Sequence, residues 1–212
     1  MDNVCTKKTA GMLLLIFAVL ILDQASKIWV KTNMQIGDSI RITNWFYIHF
    51  VENNGMAFGL EPFKKIFLSL FRIVVVGYIG YYLFTLLRRN YPFGYIATIS
   101  LVFAGAMGNI IDSVFYGVIF NHSFGQVATM LPSDGGYAPY FYGQVVDMLY
   151  FPFFTTTLPG WIPFWGGKEF AFFKFIFNVA DSAVSVGGCC IFLFYLKTFS
   201  KSLSKPEKTK EA

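Results

Sequence analysis

The run Gly11–Val30, GMLLLIFAVLILDQASKIWV, decides the fold, because it holds twenty residues and only two charges, Asp23 and Lys27. Crossing the hydrocarbon core of a bilayer takes roughly 20 mostly apolar residues. Three further windows have the same character, at about 63–87, 95–115 and 170–196. Together they predict an α-helical membrane protein, a single membrane domain with four transmembrane helices. Composition agrees: 14% of residues are charged and 55% hydrophobic, whereas a soluble domain carries about a quarter charged residues. The first window follows Lys7 and Lys8, as a secretory signal would. It runs on into Asp23 without a small-residue cleavage site, so it reads as a retained helix.

Between the second and third windows lies a short basic turn, Arg88-Arg89-Asn90-Tyr91-Pro92. The positive-inside rule makes that turn cytoplasmic. Lys7, Lys8 and the tail lysines 197, 201, 205, 208 and 210 then fall on the same side, and both termini are cytoplasmic. The net charge of +5 is the mark of a tail beside anionic lipid, not of a nucleic-acid partner. Cys5, Cys189 and Cys190 form no CxxC pair, and there are only two histidines, His49 and His122. No disulfide framework, metal or cofactor is expected.

Two outer segments remain, about 31–62 and 116–169. Ser39–Thr43 alternates, Trp45–Val51 follows, and Asn53-Asn54-Gly55 is a turn signal, so a small sheet is predicted there. The aromatic, proline-punctuated stretch Phe151–Trp165 is predicted to lie on the membrane surface.

A charged residue inside a bilayer costs ~2.5–3.5 kcal/mol even on the milder scale. The helical windows nevertheless hold Asp23, Asp112 and Asp181. At ~1.5 Å per residue, Asp23 lies roughly 18 Å and Asp112 roughly 26 Å up their helices, and Asp181 roughly 16 Å down the fourth. All three share one outer layer. Asn109 precedes Asp112 by three positions and Asn178 precedes Asp181 by three, a spacing that shares a helix face. A fourth acid, Asp147, sits in Gly143–Met148, and a short strand there can bring it to the same layer. Two close carboxylates cannot both ionise easily, so they share a proton, the arrangement aspartic proteases use. Asp23 also has a plain pairing role open to it, with Lys27 one turn later. Asp112, Asp147 and Asp181 stay open between packing and catalysis on the residues alone. HExxH and a Gly-rich phosphate loop are absent.

At these residues the chain resembles the lipoprotein signal peptidases, or signal peptidase II. The likeness rests on five motifs in the family's order. They are Leu22-Asp23-Gln24-Ala25-Ser26-Lys27, Asn53-Asn54-Gly55-Met56-Ala57-Phe58, Gly108-Asn109-Ile110-Ile111-Asp112, Val145-Val146-Asp147 and Phe177-Asn178-Val179-Ala180-Asp181. They cover nearly the whole chain. The resemblance implies a metal-free aspartic endopeptidase of the bacterial inner membrane, with its active site toward the outer face. Its substrates would be diacylglyceryl-modified prolipoproteins, cut just before the lipid-bearing cysteine, and it would work as a monomer in membrane lipid. Asp147 and Asp181 fall on the catalytic pair. Asp23, Lys27, Asn53, Gly55, Asn109, Asp112, Asn178 and Ala180 fall on supporting positions, and the outer hairpin on the family's small β-cradle.

The chain departs from the family twice. Ser113 stands where the family usually has Arg after the helix-three Asp, and Arg72 on helix two is the candidate substitute. A long insertion, roughly 117–142, separates Asp112 from Asp147. Two rival readings are weighed beside the peptidase. A proton- or ion-coupled transporter would use the Asp layer as a relay, but the inner halves of the helices carry no acids. A non-catalytic scaffold would leave the paired Asn-Asp pattern unexplained.

Overall fold

A computed structural model of the chain describes residues 3–53 and 62–204. Among the described residues, four helical spans are long and apolar enough to cross a membrane. The first is α1 (Asn3–Asn33) and the second α2 (Pro62–Arg88). The third is α3 (Phe93–Ile111), prolonged by a π-helical turn at Asp112–Tyr116 and by α4 (Gly117–Ile119). The fourth is α5 (Val179–Cys190), a second π turn at Ile191–Tyr195, and α6 (Leu196–Leu203). Their apolar side chains face outward: Leu14, Phe17, Ile21, Phe71, Val74, Phe192 and Phe194 are all exposed. Cys189 also lies on the outer face of α5 and not in packing. A lipid environment explains this, since apolar side chains lose nothing there.

Both described ends of the chain lie at the same end of the bundle as the α2–α3 turn. Lys8 Nζ donates to Asn90 Oδ1 at 2.6 Å and to the Tyr91 carbonyl at 2.9 Å. Ser202, near the end of α6, bonds Tyr82 and lies 3.4 Å from the Tyr95 hydroxyl. The opposite end carries a four-stranded antiparallel sheet in the order β1-β2-β3-β6. Its strands are β1 (Ser39–Arg41), β2 (Tyr47–Asn53), β3 (Val145–Tyr150) and β6 (Ile176–Phe177). The predicted four-helix membrane fold with a small sheet is therefore what forms. The aromatic stretch is itself half of a second, two-stranded sheet: β4 (Phe154–Thr157) pairs antiparallel with β5 (Glu169–Phe172).

The fourth helix departs from expectation. The apolar window predicts a start near Phe170, but residues 169–172 and 176–177 are strands, and the helix begins at Val179. Asp181 is thus in the first helical turn, not midway down. Asn178 is the N-cap: its Oδ1 accepts from the Asp181 N–H at 2.9 Å, and Asp181 Oδ2 accepts from the Asn178 N–H at 3.3 Å. The three-residue spacing of Asn178 and Asp181 is a capping box, not a shared helix face.

Helix α3 packs closely on α5 and α1 because it has a glycine strip. A Cβ at Gly105 would stand 2.2 Å from the Ala180 carbonyl oxygen, and one at Gly108 would stand 2.6 Å from Asp23 Oδ2. No side chain fits at either place, and small residues at membrane helix contacts permit such approach.

Candidate active site

The site grows outward from Lys27, which is fully buried. Its ammonium has three donors and uses all three: on Asp23 Oδ2 at 2.9 Å, Asp112 Oδ2 at 2.8 Å and Asn109 Oδ1 at 2.9 Å. The acids are in turn tied to the surrounding elements. Asp23 Oδ1 accepts from the Ala180 N–H at 2.8 Å, and Asp112 Oδ2 from the Val146 N–H at 3.3 Å. Asp23 and Asp112 are therefore spent on holding α1, α3, α5 and β3 together. Gln24 completes the cluster, a residue that sequence reasoning quoted in a motif but did not single out. Its Nε2 reaches Asp23 Oδ2 at 3.1 Å and Asp112 Oδ1 at 3.0 Å, and its Oε1 accepts from Tyr116 at 3.1 Å. An amide beside an intramembrane Asp was the available signal.

Two more amides connect this cluster to the remaining acids. With its Oδ1 facing Lys27, Asn109 must point Nδ2 the other way, where it donates to Asp181 Oδ1 at 2.7 Å. Asn178 Nδ2 donates to Asn109 Oδ1 at 3.1 Å, to Asp147 Oδ1 at 2.8 Å and to the Val146 carbonyl at 3.2 Å. Asn53, at the end of β2, donates to Asp147 Oδ2 at 3.2 Å. Asp147 and Asp181 are thus joined through Asn178 and Asn109. The sheet builds this: Val51 lies opposite Asp147 in β2–β3, and β6 leads directly into Asn178.

Burial, and then the charge of Asp181, push the Asp147 carboxyl up to about 7. Asp181 sits in the first turn of α5. Close carboxyls of this kind share a proton, and Asp147 is the one placed to hold it.

Asp147 is delivered despite the insertion. The loop leaves α4 and returns antiparallel along the end of helix three. Tyr137 N–H bonds the Phe120 carbonyl at 2.9 Å, Phe141 N–H the Val114 carbonyl at 3.1 Å and Gly143 N–H the Ser113 carbonyl at 2.9 Å. A Cβ on Gly143 would stand 2.1 Å from the Asp112 carbonyl oxygen, so glycine permits the return. At the other departure, Arg72 Nη1 donates to Ser113 Oγ at 3.3 Å. Arg72 and Asn109 also line a pocket of about 170 Å³. Below it, sharing Val76, lies an apolar cleft of about 350 Å³ lined by Ile73, Gly77, Gly80, Phe103, Met107 and Ile110. Gly55, predicted as a site residue, lies outside the described residues.

Fold and site together define a multi-pass membrane protein with a linked pair of carboxyls, Asp147 buried and Asp181 half-buried, beneath an extramembrane sheet. Comparison with known proteins narrows this. Residues 15–197 match the model of the signal peptidase II family, and the chain belongs to that family, one of peptidases. A lipoprotein signal peptidase of Porphyromonas gingivalis is 51% identical, over 93% of this chain and 89% of its own length. One from Amoebophilus asiaticus is 32% identical, over 96% of this chain and 85% of its own. Two solved structures described as a bacterial membrane enzyme are each 26% identical, with TM-scores of 0.59 and 0.61. They cover 96% and 89% of this chain, each match spanning 94% of the solved chain. Nothing in these relatives favours the transporter reading.

Proposed function

We propose that this chain is an aspartic endopeptidase that removes the signal peptide from diacylglyceryl-modified prolipoproteins, cutting before the lipid-bearing cysteine. The observation that carries the reading is the placement of Asp147 and Asp181 at the two ends of one Asn178–Asn109 bridge. The relatives' name supplies the substrate class. Asp181, the anion, takes a proton from a water molecule held between the two acids. Asp147 gives its proton to the scissile carbonyl oxygen, and the tetrahedral species forms as a neutral diol. Asp181 then protonates the leaving amine, and the carbonyl re-forms as Asp147 regains its proton. Lys27 holds Asn109, Asn53 and Asn178 hold Asp147, and Asp23, Asp112 and Ala180 keep the helices and β3 in place.

The site belongs at the outer face of the bacterial inner membrane, with both termini cytoplasmic, because Lys8, the basic turn Arg88-Arg89 and the last described helix, with Lys197 and Lys201, gather at the opposite end. The cleft between α2 and α3 opens beside Asn109 and suits an apolar segment arriving sideways from lipid. The β4–β5 hairpin, with Trp161, Phe164 and Trp165 exposed and α5 close behind it in sequence, lies against the outer leaflet.

The test uses the enzyme in lipid nanodiscs and a synthetic signal peptide, with or without a diacylglyceryl cysteine. Cleavage before that cysteine, of the lipidated peptide alone, is the expected result. Equal cleavage of the bare peptide, or ion flux in proteoliposomes without cleavage, would sink the reading. The pH profile has a definite sign. Above about 7 Asp147 loses the proton it must donate, so activity falls with a midpoint near that pH. Activity that keeps rising through pH 8 to 9 would contradict the proton's assignment.

A further inference from the structure

Lys31, one turn beyond Lys27 on α1, is also fully buried. Its ammonium pairs with Glu52 Oε1 and donates to Ser123 Oγ at 2.9 Å, and Ser123 Oγ itself donates to Glu52 Oε1 at 3.0 Å. The Nζ also lies 5.4 Å from the ring centre of Phe120 and 5.0 Å from that of Tyr137. Phe120, Ser123 and Tyr137 all come from the insertion. The Ala128 N–H reaches the Lys31 carbonyl at 3.2 Å, so the insertion is fastened to the end of α1 by backbone as well.

Stability alone is a weak reason to bury such a pair, since desolvation can cancel the attraction. The position of Glu52 offers a better one. Glu52 lies opposite Val146 in the β2–β3 ladder, and the next residue, Asn53, donates to Asp147 Oδ2 at 3.2 Å. Successive side chains on a strand point to opposite faces. Gripping Glu52 on one face fixes the strand's rotation, and so the direction of Asn53 on the other.

We propose that Lys31 is a positioning residue for catalysis: with Ser123 and the rings of the insertion it clamps Glu52, and through the strand it aims the Asn53 amide at Asp147. The insertion thereby serves as part of the catalytic scaffold. The proposal rests on the reading of Asp147 as catalytic.

The experiment measures kcat and KM on the lipidated peptide, per folded enzyme in nanodiscs, for Lys31→Met, Ser123→Ala, Asn53→Ala and the double variants with Asn53→Ala. Lys31→Met should lower kcat about tenfold, as small misplacements near a reacting group do, with KM changed less than about twofold. Ser123→Ala should act in the same direction and more weakly. Each should add little to Asn53→Ala, because they act through that amide, and such non-additivity marks coupling. A merely structural pair would change the yield of folded enzyme but leave kcat untouched. Unchanged kcat in Lys31→Met, or losses that multiply with Asn53→Ala, would overturn the proposal. Where Lys31→Met does not fold, Ser123→Ala decides by the same criterion. Asp147→Asn separates the two levels. If it stays active, the catalytic reading falls and this proposal with it; if it is inactive while the Lys31 and Ser123 variants keep full kcat, only the positioning role falls.

Discussion

Asp147→Asn and Asp181→Asn are each expected to lower cleavage of the lipidated substrate by about 10²- to 10⁴-fold, the range that a general acid or base supplies. Their effects on stability should differ. Asp147 is buried and sits in the field of Asp181, which is why its carboxyl keeps its proton up to about 7. An amide there removes a charge that the site disfavours. It still offers an oxygen to Asn178 Nδ2, and the one acceptor it withdraws is that of Asn53, an exposed residue. Thermal stability near neutral pH should hold or rise while cleavage is lost. Asp181 differs because its donors are fixed: Asn109, held at Oδ1 by Lys27, gives Nδ2 to one oxygen, and the backbone N–H of Asn178 gives to the other. An amide has one oxygen, so one donor is stranded, at roughly 1–3 kcal/mol. Asp181→Asn should therefore lose stability as well as activity. Cleavage assays with melting curves on the same nanodisc samples check both halves. Near-normal cleavage in either variant would remove that residue from the catalytic pair.

The sequence shows the bundle and the carboxylate layer plainly, because charge is rare in a membrane helix and each instance has to be explained. What it hides comes from pairing distant in the chain. Residues 170–177, FAFFKFIF, pass as the start of a helix on hydrophobicity alone. They form two short strands instead, because Glu169–Phe172 finds Phe154–Thr157 and Ile176–Phe177 finds Leu149–Tyr150. An aromatic run is ambiguous between the two. Asn178 with Asp181 three residues on was the better boundary signal, since an N-cap followed by an acid at the third helical position marks a helix start. The roles of Asn109 and Asn178 were foreshadowed by their spacing from Asp112 and Asp181, but the bridge they make to Asp147 depends on the return of the insertion along helix three. The Lys31–Glu52–Ser123 cluster was hidden for the same reason: its parts come from a helix end, a strand and an insertion that no local pattern connects.

Lys27→Met is expected to have the largest effect on stability. The substitution leaves Asp23 and Asp112, both fully buried, facing each other without the ammonium they share. Breaking a buried ion pair from one side costs about 3–5 kcal/mol, and here two acids lose one cation. Activity should fall too, by a separate route. Asn109 Oδ1 loses its Lys27 donor and keeps only Asn178 Nδ2, so its amide is held less firmly in the orientation that gives Nδ2 to Asp181. A second substitution separates these consequences. Adding Asp23→Asn to Lys27→Met removes the repulsion and should recover part of the lost stability, measured as the unfolding midpoint in the same lipid. It does not give Asn109 back its donor, so cleavage should stay low in the double variant. If cleavage returned along with stability, Lys27 would act only as a counter-ion, and Asn178 alone would orient Asn109 toward Asp181.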